Sequence, residues 1–232
     1  MTGTTFPGFP AGAMAFLAEL GRNNERAWFA ENKNRYEELV REPALDFIQA
    51  MGQPIADAAP RFVAVPKKTG GSLMRPYRDT RFSKDKTPYK TNVGIQFRHE
   101  FARDVHAPGF YVHIHPQEVF LAVGSWRPAP EALRAIRERI VDHPETWTAV
   151  RDQKGFRRRF DLAGESLKRA PKGVDRDHPL LDDLKRKDFV AVRNLDPAVV
   201  CSPRLQREAI SAFATAIPFM RFLCDATGAP WD

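Results

Sequence analysis

Apolar residues recur along this chain with two different periods, and the period changes where the elements should change. Asn23 and Asn24 stand before Glu25 as helix-start residues, and Trp28, Asn32, Tyr36 and Leu39 or Val40 follow at helical spacing, predicting a helix that ends near Pro43. A second helix is expected over Ala44 to Ile55 with Leu45, Ile48 and Met51 turned inward, and Arg61 to Val65 alternates like a strand. From Val93 the period shortens to two residues. Val93 to His99, Phe110 to His115 and Val119 to Trp126 read as three strands of an antiparallel meander. Helical spacing returns in Pro128 to Val141, where Leu133, Ile136 and Ile140 share a face, and continues from His143 to Arg151. Pro179 to Arg186 is a short helix, Phe189 to Leu195 alternates again, and a last helix is capped by Ser202 with Pro203 behind it. That helix buries Leu205, Phe213 and Ile217 and kinks at Pro218. The pattern predicts one α+β domain over residues 1–232, a mainly antiparallel central sheet flanked by N- and C-terminal helices.

Composition adds compartment and partner class. The apolar stretch Ala11 to Leu20 is broken by Gly12 and Glu19 and has no basic residues before it, so no secretory signal is expected. No window approaches the roughly 20 consecutive apolar residues of a membrane span. Two cysteines, Cys201 and Cys224, lack both a disulfide framework and the paired spacing of a zinc site, and Cys224 reads as a core residue. The expectation is a cytoplasmic protein with no membrane partner. Lys and Arg total 36 against 29 Asp and Glu, but the excess is local. Residues 67–90 hold eight basic and two acidic residues, and residues 151–176 hold nine and four, while the rest of the chain is slightly acidic. Concentrated charge of this kind attracts polyanions.

The first basic window lies in a long irregular segment, Lys67 to Thr91. Its core, loop 75–91, offers Arg75, Arg78, Arg81, Lys84, Lys86 and Lys90 as cations, Ser83 as a hydroxyl donor, and Tyr77, Phe82 and Tyr89 as interleaved rings. Guanidinium forks match phosphate oxygens and rings match bases, so a phosphate-bearing ligand, nucleic acid first among them, is the expected partner. Asp79 and Asp85 are either local clamps for the arginines or a general base or metal ligand. The second window contains Lys168, Arg169 and Lys172 with Gly173, a possible phosphate loop if it folds against the first.

The Asn23–Phe29, Arg78–Asn92, Gly109–His113, Gly124–Trp126 and Leu167–Gly173 motifs together resemble the bacterial and fungal family called domain of unknown function 2461. The resemblance spans nearly the whole chain, implies no established activity, and carries over no catalytic residue.

His113 and His115 leave one face of their strand, a spacing that suits an acid/base pair, an anion contact, or a metal with His99, Asp104 or His106 as third ligand; ordinary polar-face histidines do the same. Two ligands do not make a site, so no metal is assigned. Neither a Walker A nor a dinucleotide fingerprint is present, and no cofactor is assigned. Trp28 and Trp126 are expected in the core. Two readings follow: an anion-binding domain acting through loop 75–91, or an enzyme on a phosphorylated small molecule with an arginine clamp and His113, His115, Asp79 or Asp85 as acid/base groups.

Overall fold

The computed structural model describes residues 5–101 and 107–232. Its centre is a six-stranded sheet with every neighbouring pair antiparallel. In chain order the strands are β1 (Phe62–Val63), β2 (Val93–His99), β3 (Gly109–Ile114), β4 (Val119–Ser125), β5 (Asp161–Ala163) and β6 (Phe189–Leu195), and in space they run β1-β2-β3-β4-β6-β5. Helices α1 (Gly12–Arg22), α2 (Arg26–Glu31), α3 (Lys33–Tyr36), α4 (Glu42–Ala50) and α5 (Gly52–Ala58) precede the sheet. Between β4 and β6 lie α6 (Pro130–Asp142), α7 (Pro144–Arg151), α8 (Lys154–Arg157) and α9 (Leu181–Leu184), and α10 (Arg204–Thr215) and α11 (Ile217–Thr227) close the chain. The class is α+β, as the two periods predict.

One face of the sheet is the core. The register sets Ile95 against Val112 and Phe97 against Phe110, with Leu121 and Val123 continuing the same side on β4, and all six are buried. Phe213 of α10 packs on this face with its ring 4.9 Å from Phe110 and 6.2 Å from Phe97. Farther along, fully buried Trp147 meets Phe189, Phe219 and Phe222, joining α7, β6 and α11. Cys224 is buried there as expected.

Several boundaries differ from the sequence expectation, each for a local reason. Ala13, Phe16, Leu17 and Leu20 are buried at helical spacing and form α1, which the interrupted apolar run concealed. Asn23 closes that helix, its side-chain amide donating to the Glu19 carbonyl, so α2 starts only at Arg26. The helical path does not stop at Pro43. A π turn over Glu37–Arg41 lets the Glu42 N–H reach the Glu37 carbonyl, and Pro43 enters the first turn of α4, where a missing N–H costs nothing. The helix expected over Ala44 to Ile55 breaks at Met51 into α4 and α5. β1 shrinks to two residues because it pairs only with the far end of β2, while Leu73 bridges Ile95 nearer the start. The Ser202 hydroxyl accepts from the Arg204 N–H at 3.4 Å, and α10 and α11 meet at 56° beside Pro218. Among the described residues, no single helix is long and apolar enough to cross a membrane.

Candidate ligand site on the open face of the sheet

The second face of the sheet carries a different set of side chains. Across the strands Gly94 lies opposite His113 and then Phe120, and Gln96 lies opposite Tyr111, Ala122 and Val192 in turn. Small residues among large ones leave a hollow: a cavity of about 430 Å3, with Met74, Trp126 and Gly164 completing its walls. That volume suits a small organic ligand, and the lining is mostly apolar with a few convergent polar groups. Glycine is needed at one lining position and at one beside the cavity. A Cβ on Gly124 (φ +114°) would fall 2.1 Å from the Phe189 carbonyl oxygen, and one on Gly94 would press to 2.8 Å on Tyr111 Oη and 3.0 Å on the Met74 sulfur. Trp126, expected in the core, is instead 48% exposed at this cavity, because it follows the last paired residue of β4 and escapes the buried face.

His113 is the best-defined polar group here. Its ring stacks on Phe120 at 4.5 Å, nearly parallel, and Nδ1 lies 3.1 Å from Tyr111 Oη and 3.5 Å from Asn92 Nδ2. Both neighbours can donate, so Nδ1 is the acceptor and the neutral ring carries its proton on Nε2, 3.6 Å from Glu118 Oε1. Burial lowers the His113 pKa from its ordinary value, against the opposing pull of the Glu118 carboxylate. Burial also pushes the Tyr111 hydroxyl up to about 12, so it stays protonated. The Tyr111 hydroxyl therefore donates to His113 Nδ1 in the cavity wall.

The other histidines do not join it. His115 Nδ1 accepts the Gln117 N–H at 3.2 Å and fixes the β3–β4 turn. His99 corrects the expectation of a shared face: the register places it opposite Phe62, on the core side with Ile95 and Phe97, where Nε2 lies 2.7 Å from the Pro230 carbonyl oxygen. Asp104 and His106 lie outside the described residues. Among the described residues, no three His, Cys, Asp or Glu side chains form a group that could hold a metal ion.

The basic loop forms a short ribbon on the outer side of β2. Met74 N–H donates to the Gly94 carbonyl, Lys90 N–H to that of Pro76 and Arg78 N–H to that of Pro88, and Tyr77 bridges Tyr89. Asn24 fastens the ribbon from α2's side: Oδ1 accepts the Tyr89 N–H at 2.9 Å and Nδ2 donates to the Tyr89 carbonyl at 3.0 Å. The Tyr89 ring then stacks on Phe29 at 4.1 Å. At the tip, Asp85 pairs with Arg78 and accepts the Thr87 N–H, while Asp79 takes the Arg81 guanidinium through both oxygens. Asp79 is held at about 2 by Arg81, and Asp85 at about 2 by the Thr87 N–H and then Arg78. The two aspartates are therefore clamps of the loop. Both arginine forks already hold a carboxylate, and Lys86 donates to the Thr80 carbonyl. Ser83 donates its backbone N–H to Thr80 and helps turn the tip.

Arg75, Lys84 and Lys90 have no ion-pair partner among the described residues. Lys90 is half-buried, and burial together with Arg75 lowers its pKa. Tyr89 turns inward onto Phe29, and past Lys90 the chain brings Asn92 to His113. The segment thus meets the cavity through its two flanks, Met74 and Asn92, while no residue of 75–91 is among those lining it.

The second basic segment borders the opposite edge of the sheet, beyond β5. Buried Asp188 accepts the N–H groups of Arg127 at 2.7 Å and Glu165 at 2.8 Å and so fixes Gly164 against the cavity. Lys168, Arg169 and Lys172 are exposed beyond it. The two cationic segments do not merge into a single groove; one wall of the cavity, Met74, comes from the first, and the opposite wall, Gly164, adjoins the second.

Residues 12–222 match the family described as a conserved hypothetical protein, DUF2461. The chain belongs to this family. No curated protein and no solved structure matches it. In this DUF2461 chain four of the five motifs that carry the resemblance meet in space: Asn24 and Phe29 hold Tyr89, and the Gly109–His113 and Gly124–Trp126 segments line the cavity beside Asn92. Gln96, Phe120, Ala122, Val190, Val192 and Met74 line it without having been singled out by sequence. The available signal was the run of small and aromatic residues at the non-core parity of β2 to β4.

Proposed function

We propose that the open face binds a small phosphate-bearing molecule with a flat ring, of which a nucleotide is the simplest representative. The ring fits the apolar cavity against Phe120 and Trp126, and the phosphate meets Lys90 outside its rim. The observation that carries this reading is the convergence of the ribbon and His113 on one cavity, with Asn92 Nδ2 3.5 Å from His113 Nδ1 and Met74 among the lining residues. Half-buried Lys90, with no ion-pair partner among the described residues, is poised to gain from an anion, because a charge-assisted hydrogen bond there replaces incomplete hydration. The arginines count for less than their number suggests, since Arg78 and Arg81 are already neutralised by Asp85 and Asp79.

Calorimetric titration with adenosine 5′-monophosphate, adenosine and inorganic phosphate tests the reading. The nucleotide should bind more tightly than either part, Lys90→Ala should weaken the nucleotide about tenfold while sparing the nucleoside, and Ala122→Phe should abolish both by filling the cavity. Absence of nucleotide binding, or binding indifferent to both substitutions, would refute it.

A further inference from the structure

Phe82 stands at the tip of the ribbon with 95% of its surface exposed, more than any other large apolar residue among those described. An exposed aromatic ring is ordinarily free to fold back onto the surface, but this one is on a loop whose shape is fixed from both sides. Asp79 holds Arg81, Asp85 holds Arg78 and the Thr87 N–H, and Lys86 closes the turn on the Thr80 carbonyl. The Arg81 guanidinium lies 5.8 Å from the Phe82 ring centroid, and Tyr77 adds a second ring, 51% exposed, on the same ribbon. Lys84, two residues on in the chain, has no ion-pair partner among the described residues.

We infer that this tip is a base-stacking contact, and that it extends the ligand of the open face from a mononucleotide to a single-stranded nucleic acid. The ribbon leaves the cavity at Met74 and carries its cations outward to Phe82, so a strand with one base in the cavity has cations along its path and a ring at its end. Eight cations against two carboxylates over residues 67–90 make an anionic polymer the complementary partner. Stacking on Phe82 and Tyr77 needs an unpaired base, which a duplex does not present. A ring held ready by a fixed loop loses little freedom on binding, which is the condition under which a single stacked base contributes usefully to affinity. The inference takes its ligand class from the cavity reading above, but its own evidence is the tip.

The test is a fluorescence-anisotropy series with labelled oligothymidylates of increasing length against the mononucleotide, with a matched duplex and vesicles of phosphatidylserine and phosphatidylcholine alongside. Affinity should rise at least tenfold from mononucleotide to oligonucleotide, and Phe82→Ala should remove that gain while leaving the mononucleotide affinity unchanged. Because Phe82 touches solvent on nearly every side, the variant should fold normally. Phe82→Trp should restore the gain and show quenching of the new indole by bound bases. Oligonucleotides no tighter than the mononucleotide, an unaffected Phe82→Ala variant, or Phe82-dependent binding to vesicles instead of oligonucleotides would each overturn the inference. If oligonucleotides bind through Phe82 while the mononucleotide fails to bind, the cavity reading falls and the tip assignment stands. If only the mononucleotide binds, the reverse holds.

Discussion

Asn24 supplies with one side chain what a neighbouring strand would supply with its backbone: an acceptor for the Tyr89 N–H and a donor for its carbonyl. Replacing it by alanine leaves both groups of a buried residue without their partner, so Asn24→Ala should cost about 2 kcal/mol in urea unfolding and should speed hydrogen exchange at the Tyr89 amide far more than at β3. Single residues also mark where sequence reasoning stops. Parity along β3 and β2 is legible from alternation, but whether His99 shares a face with His113 depends on the cross-strand register, and Gly94, not Ile95 or His99, is the residue opposite His113. Trp126 fails for a related reason. Its hydrophobicity argues for the core, yet it lies one residue past the pairing of Ser125 with Phe189, and nothing in its own neighbourhood announces that the strand has ended.

At the level of elements, legibility follows the strength of the period. β2 and β6 appear at the predicted residues, β4 ends one residue early and β3 is shifted by one residue at both ends, because the two-residue period marks a strand more firmly than it marks its limits. β5 and α8 were hidden in a basic segment whose structure comes from long-range pairing with β6 and from Phe156 packing on Phe219. The ribbon 75–91 is the intermediate case: its charge and rings are evident in sequence, while its shape depends on which aspartate meets which arginine. That shape gives it a pH signature. Asp79 and Asp85 are held at about 2 against an ordinary 3.8, and the ionised carboxylate is the form that clamps. Folded values below unfolded ones mean that the clamp's contribution is present above 3.8 and is lost as pH falls toward 2. Both groups are exposed, so the effect is local order at the tip and not global stability. The Arg81 and Thr87 amide resonances, whose N–H groups these carboxylates accept, should titrate with midpoints near 2; midpoints near 3.8 would mean that the clamps do not form in solution.

Viewed whole, the molecule is a sheet with two unlike faces. Helices bury one, through Phe97, Phe110, Phe213 and the Trp147 cluster, and the other keeps a hollow bordered by two cationic segments at opposite edges. The α+β class, the meander and the ribbon's position at a sheet edge follow from patterns local to the chain. The hollow does not, since it arises from glycines and an alanine on β3 and β4, and from Gly164 past β5, that only the fold brings together. A nitrogen-15 chemical-shift titration of the protein with adenosine 5′-monophosphate reads the occupant of the hollow residue by residue. Shifts should cluster at Gly94, Gln96, Tyr111, His113, Ala122 and Lys90, with the amides of α4 and α10 still. Shifts gathered on the helical face, or on the Lys168 to Lys172 edge alone, would contradict it, as would a spectrum that does not change.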